Sequence, residues 1–167
     1  MLFRKSFRSA AMILLAGVCS AAAAADGGRE NGSEQSTIAR GRYIARIAGC
    51  NDCHTPNYAQ SGGKVPEQDW LVGDQVGWRG PWGTTYPANL RVALSRVSES
   101  DWIANARTRQ YRPPMPWFAL RDMSDDDLRA LYRFVRSLGT VGDEAPAYLP
   151  PGEQPQGLAI LFPMPPK

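Results

Sequence analysis

Histidine is almost missing from this 167-residue chain. There is one, His54, so no site that needs two imidazoles can be built within it. Cysteine is scarce as well, with three residues, and Cys19 falls in an apolar N-terminal stretch. The remainder, two cysteines and one histidine within five positions, is too few for a closed zinc site of four ligands. No apolar run reaches the ~20 residues that a membrane-spanning helix needs. Excess charge is missing too. Three of the 19 Lys and Arg residues (Arg4, Lys5, Arg8) lie in the first 25 positions, where there is no acid. Beyond them 16 basic and 16 acidic side chains balance, which gives no support to nucleic-acid binding. No internal repeat and no pairing of strands is evident.

What is present is concentrated in Cys50-Asn51-Asp52-Cys53-His54. Thiols three residues apart fall on one side of a helical turn and can both reach the edge of one macrocycle. A histidine directly after them meets a bound iron from the same face. C-x-x-C-H is therefore read as an attachment site for covalent haem c, with thioethers at Cys50 and Cys53 and His54 as proximal ligand. A thiol–disulfide module is the rival for a bare C-x-x-C, but it expects a βαβ setting that this sequence lacks. With both thiols used on haem, no structural disulfide is expected.

The first 25 residues have the form of a cleaved secretory leader. A basic start is followed by apolar Ala10 to Val18 and by small residues at Ala23-Ala24-Ala25. Lipidation of Cys19 is disfavoured by Val18 before it. Export to the periplasm suits thioether attachment, which takes place outside the bacterial cytoplasm. Residues 26–36 are polar and glycine-rich, and read as a flexible lead-in.

A domain at residues 37–140 follows. Its first helix runs from about Thr37 to Ala48, with Ile38, Gly41, Ile44 and Ala45 on one half and Arg42 and Arg46 on the other. Residues 57–97 show little periodicity but carry Trp70, Trp78 and Trp82, as expected of a loop packed on a large apolar cofactor. Ser98 with Asp101 opens a short helix to about Thr108. Ser124, then Asp125, Asp126 and Asp127, open the last helix, whose stripe is Leu128, Leu131, Tyr132, Phe134, Val135 and Leu138 and which Gly139 ends. The tail at 141–167 is proline-rich, extended, and apolar enough at Leu158, Ile160, Leu161 and Phe162 to dock on this chain or on a partner.

With no second histidine, methionine is the expected distal ligand, and it raises the potential. Past the leader there are Met115, Met123 and Met164. Met123 precedes the cap Ser124, and with Leu128 it has the geometry of a hydrophobic staple. Met164 is in the tail. Met115 sits in Arg112-Pro113-Pro114-Met115-Pro116-Trp117, where three prolines make a stiff mount, and it is the favoured ligand.

A glycine in the first helix, C-x-x-C-H at its end, a P-x-M-P loop and an amphipathic last helix together resemble the monohaem class I cytochromes c. The stretch from Gly80 to Leu90 is similar to haem domains that accompany bacterial periplasmic or membrane dehydrogenases. The resemblance implies an all-α fold of helices and long loops around one haem. It places Gly41 near Tyr132 or Leu131, and it carries the distal role to Met115. It implies electron transfer rather than catalysis, from a dehydrogenase donor to a cytochrome or oxidase acceptor. The alternative is a haem enzyme or gas sensor with a displaceable distal ligand. His54 is expected to donate its second ring nitrogen to a backbone carbonyl. Trp82, Tyr86 and Arg91 are candidates to bind the haem propionates. Burial and a thioether ligand both favour the ferrous state, so the potential should be positive.

Overall fold

The computed structural model describes residues 22–163, with side chains from residue 32 onward. Residues 1–21 of the expected leader (1–25), and Met164, lie outside the described residues. The chain divides into two compact units, 1–33 and 34–167, and the second holds the site. Six helices and three short strands follow one another: α1 (Ala22–Ile47), α2 (Cys50–His54), β1 (Gly77–Gly80), β2 (Gly83–Thr85), α3 (Leu90–Ser95), α4 (Glu99–Thr108), α5 (Trp117–Asp122), α6 (Asp125–Ser137) and β3 (Ala159–Leu161).

Local chemistry explains α4 and α6. Ser98 Oγ accepts from the Asp101 amide and donates to its carboxylate, and Ser124 Oγ accepts from the Asp127 amide. Three aspartates lie at the positive end of α6. Gly139, in the left-handed region at φ 73°, follows its C-cap Leu138. The α6 stripe is the centre of the core: Leu128 and Phe134 are fully buried, with Leu131 and Val135 beside them. Each such side chain contributes roughly 1.5–3 kcal/mol on leaving water. The Trp102 indole of α4 donates to the Leu128 carbonyl at 3.0 Å. Met123 packs on the same core.

The first helix crosses α6 at Gly41. A Cβ there would fall on the Ala130 carbonyl and on Phe134 Cβ, so only glycine permits the approach. The nearest α6 atoms belong to Ala130 and Phe134, the residues around the expected Leu131 and Tyr132. Ala130 and Phe134 stack at i and i+4 toward α1, while Tyr132 turns aside to donate to the Val97 carbonyl at 2.9 Å. The expected lead-in at 26–36 is helical, because α1 begins at Ala22. No proline interrupts this stretch, alanine leads it, and Glu34 is ion-paired to Arg133 at 2.5 Å.

Strand pairing, unexpected from the sequence, makes a small sheet of order β2-β1-β3 in an otherwise helical fold. β1 and β2 form an antiparallel hairpin, and β3 from the tail pairs parallel to β1. These strands hold three or four residues each, too short for alternation to register. The tail therefore docks on its own chain. Phe162 lies 5.9 Å from the Trp78 ring and 5.1 Å from Trp82.

Candidate functional site

One turn places the five-residue motif. Ile47 ends α1, and Gly49, left-handed at φ 71°, turns the chain so that α2 starts at Cys50. The motif occupies α2 itself, so Cys50 and Cys53 share a side and His54 lies one step around. Asn51, fully buried, accepts from the Thr55 hydroxyl at 2.8 Å, and the same hydroxyl receives the Leu71 amide at 2.8 Å. This chain of hydrogen bonds ties α2 to the core beneath it.

His54 is buried, and its Nδ1–H donates to the Ala88 carbonyl at 2.7 Å. The expected backbone acceptor is thus Ala88. Burial pushes the imidazole pKa down and the Ala88 bond opposes this, so the ring is held neutral. With Nδ1 carrying the proton, Nε2 keeps its lone pair for a metal. The carbonyl is held in turn: Gly73 N donates to His54 O at 2.9 Å, Asp74 N to Pro87 O at 3.2 Å and Leu90 N to Leu71 O at 3.0 Å. Asn89 caps α3 through the Arg91 and Val92 amides and donates to the carbonyls of Val141 and Asp143 at 2.8 and 3.0 Å.

The two thiols are unpaired. Burial, then Asp52 and Cys53, push Cys50 up to about 11, and burial raises Cys53 too. A thiol–disulfide exchanger needs the opposite, a lowered thiol pKa. Among the described residues no three His, Cys, Asp or Glu side chains converge to hold a metal ion. Two thiols on one helical side and a neutral, oriented imidazole are instead a donor set that fits haem: two thioether points on its edge and one axial nitrogen.

Met115 is half-buried and packs on the same core cluster as Cys50. Its amide donates to Arg112 O at 3.3 Å, and its carbonyl receives Trp117 N at 2.9 Å, just before α5 opens.

The propionate candidates separate. Arg91 is buried, and its three guanidinium nitrogens donate to the carbonyls of Gly139 (2.6 Å), Gln68 (2.7 Å) and Leu138. It clamps the C-terminus of α6, where a cation suits the helix dipole. The Trp82 indole N–H is turned to the Trp78 carbonyl at 3.3 Å and its ring to Phe162. Among the described residues the Tyr86 hydroxyl has no hydrogen-bond partner, and its ring lies against Gly77.

Sequence reasoning missed Ala88, whose contribution is a main-chain carbonyl and leaves no side-chain signal. It missed Asn89 too, although an asparagine directly before Leu90 is a readable N-cap.

Comparison with known proteins agrees with this geometry. A family model described as cytochrome c matches residues 38–139. A nicotinate dehydrogenase subunit of Pseudomonas putida is 31% identical over 120 residues, 66% of this chain and 9% of that protein. The cytochrome c subunit of alcohol dehydrogenase (quinone) from Gluconobacter oxydans is 27% identical over 61% of this chain and 21% of its own length. The cytochrome c subunit of gluconate 2-dehydrogenase from Pantoea cypripedii is 29% identical over 64% and 27%. The chain thus spans roughly a quarter or less of each of these relatives. No solved structure matches it. A C-x-x-C-H helix with an oriented imidazole, inside a family match that covers most of the described fold, places this chain in the cytochrome c family.

Proposed function

We propose that this protein relays single electrons in the periplasm, from a dehydrogenase to a downstream cytochrome or oxidase. It does so through one haem attached at Cys50 and Cys53, with His54 and Met115 as axial ligands. Electron transfer without catalysis of its own follows from membership of the family. The relatives are named as subunits of dehydrogenases, which supports a donor of that kind. The leader-like N-terminus supports export. No helix among the described residues is long and apolar enough to cross a membrane.

The observation that carries the reading is the 2.7 Å bond from His54 Nδ1 to Ala88 O, which presents Nε2 in a fixed direction. Haem supplies a one-electron exchange between ferrous and ferric iron. The chain supplies the rest. Ala88 fixes the imidazole plane, so His54 has no need to turn when the charge changes. Met115, on its proline-rich mount, would hold the iron opposite His54 and so would exclude a substrate from it. The buried cluster around Leu71, Leu128 and Phe134 keeps water out and favours the less charged ferrous state. Tyr86, with its free hydroxyl, is the propionate donor that fits best.

Optical spectroscopy tests the reading. A pyridine haemochrome should report covalent haem at one per chain. The ferric protein should show the weak long-wavelength sulfur-to-iron band. Met115→Ala should abolish that band and lower the potential. A wild-type protein without the band that binds CO readily when ferrous would instead be a sensor or haem enzyme.

A further inference from the structure

The segment that carries Met115 has an unusual shortage of donors. Pro113, Pro114 and Pro116 have no N–H, so between Arg112 and Trp117 only Met115 offers a backbone donor. That donor closes one turn, to Arg112 O at 3.3 Å, so any further restraint on the loop comes from groups elsewhere.

Two such groups are present. The Thr85 hydroxyl, at the end of β2, donates to Pro113 O at 2.7 Å. Tyr148, at the start of the tail, lies under Arg112, whose guanidinium carbon is 3.9 Å from the ring centroid. Both groups are anchored. The Tyr148 hydroxyl donates to Trp82 O at 2.8 Å. Leu149 and Thr84 exchange two backbone bonds, of 2.8 and 3.0 Å. Gly83, at φ 99°, has no room for a side chain because the Leu149 carbonyl lies against it. Further along, Gly77 N donates to Leu158 O at 2.9 Å and Phe162 N to Arg79 O at 2.7 Å. The tail is thus fastened to the hairpin at two places, and hairpin and tail together grip the Arg112–Pro113 end of the distal loop.

We propose that Thr85 and Tyr148 are positioning residues that set how readily Met115 is displaced from the iron. The inference rests on the reading of Met115 as axial ligand. An outside ligand binds the ferric iron only in molecules whose loop has opened, so its apparent affinity reports the opening equilibrium. Each contact that closes the loop weakens such binding.

The test is an imidazole titration of the ferric full-length holoprotein, followed by loss of the sulfur-to-iron band. Thr85→Val should bind imidazole roughly fivefold more tightly than wild type, the factor equivalent to one net hydrogen bond. Thr85→Ser, which keeps the hydroxyl, should return close to wild type. Tyr148→Ala should tighten binding by a similar factor. Tyr148→Phe, which keeps the ring under Arg112, should do so less. If the wild type shows the band and Thr85→Val and Tyr148→Ala bind imidazole as it does, the inference is overturned and Met115 stays assigned. If the wild type lacks the band and binds imidazole as tightly as Met115→Ala, the ligand reading fails and takes this inference with it.

Discussion

The proximal and distal sides proposed for this molecule are built on different plans. On the proximal side, the two thiols and the imidazole share one short helix, and a single part-buried bond to Ala88 orients the imidazole. On the proposed distal side, Met115 lies in a proline-rich loop with one internal backbone bond, to Arg112 O, and one from Trp117 N, and a hairpin and a C-terminal tail grip its Arg112–Pro113 end from outside. The difference teaches where softness should lie. Helical backbone bonds and core burial resist opening, whereas a loop gripped by one hydroxyl and one aromatic ring opens at modest cost. Changes on the proximal side should therefore cost fold and haem together. Distal changes should alter ligand exchange in a protein that stays folded.

The sharpest way to break that contrast is Gly41→Val. Its side chain would collide with the Ala130 carbonyl at the crossing of α1 and α6, and α1 delivers the haem motif. A loss of about 3 kcal/mol is expected, read as a lower urea midpoint with reduced haem incorporation. Equal stability would show that the crossing is not what holds the proximal side.

Asn89→Ala comes next. It removes the α3 cap and two bonds to residues 141 and 143, beside the carbonyl that orients His54. A loss of about 1–2 kcal/mol is expected, with the sulfur-to-iron band retained and imidazole affinity unchanged. A shift in imidazole affinity as large as that of Thr85→Val would merge the two sides into one cooperative unit.

The smallest effect concerns Glu99, which bridges Arg129 and Arg133 away from both sides. Burial pushes this carboxyl up, but hydrogen bonds and charge from Arg133 and then Arg129 outweigh it, and its pKa lies below the ordinary value. Its contribution is therefore complete above the ordinary carboxylate range and is lost as pH falls through the depressed folded value. Glu99→Gln should cost under about 1 kcal/mol near pH 7 and nothing in strong acid, measured by urea unfolding at both pH values. The haem spectrum should not change.

Legibility in the sequence follows the same division. The starts of α4 and α6 could be read from Ser98 and Ser124 because a cap and its partner lie three residues apart. The end of α6 could be read from Gly139. The haem motif is legible for the same reason. The bonds of Arg91 to the end of α6 were not legible, because they depend on where the carbonyls of Leu138 and Gly139 are placed. The contact of Trp82 with Phe162 was not legible because Phe162 lies 80 residues away in the tail.

The amino-acid order alone determined which atoms can meet the haem, since thiol, thiol and imidazole sit within five positions and one histidine leaves no second imidazole. It also settled where the capped helices begin. Only the tertiary structure decided that the carbonyl of Ala88, 34 residues from His54, accepts the imidazole hydrogen bond, that Arg91 serves α6, and that the tail becomes the third strand. Local signals depend on contacts a few residues apart and can be read from a string of letters. Long-range pairings depend on which distant backbone groups remain unsatisfied once the core has closed, and that is known only after folding.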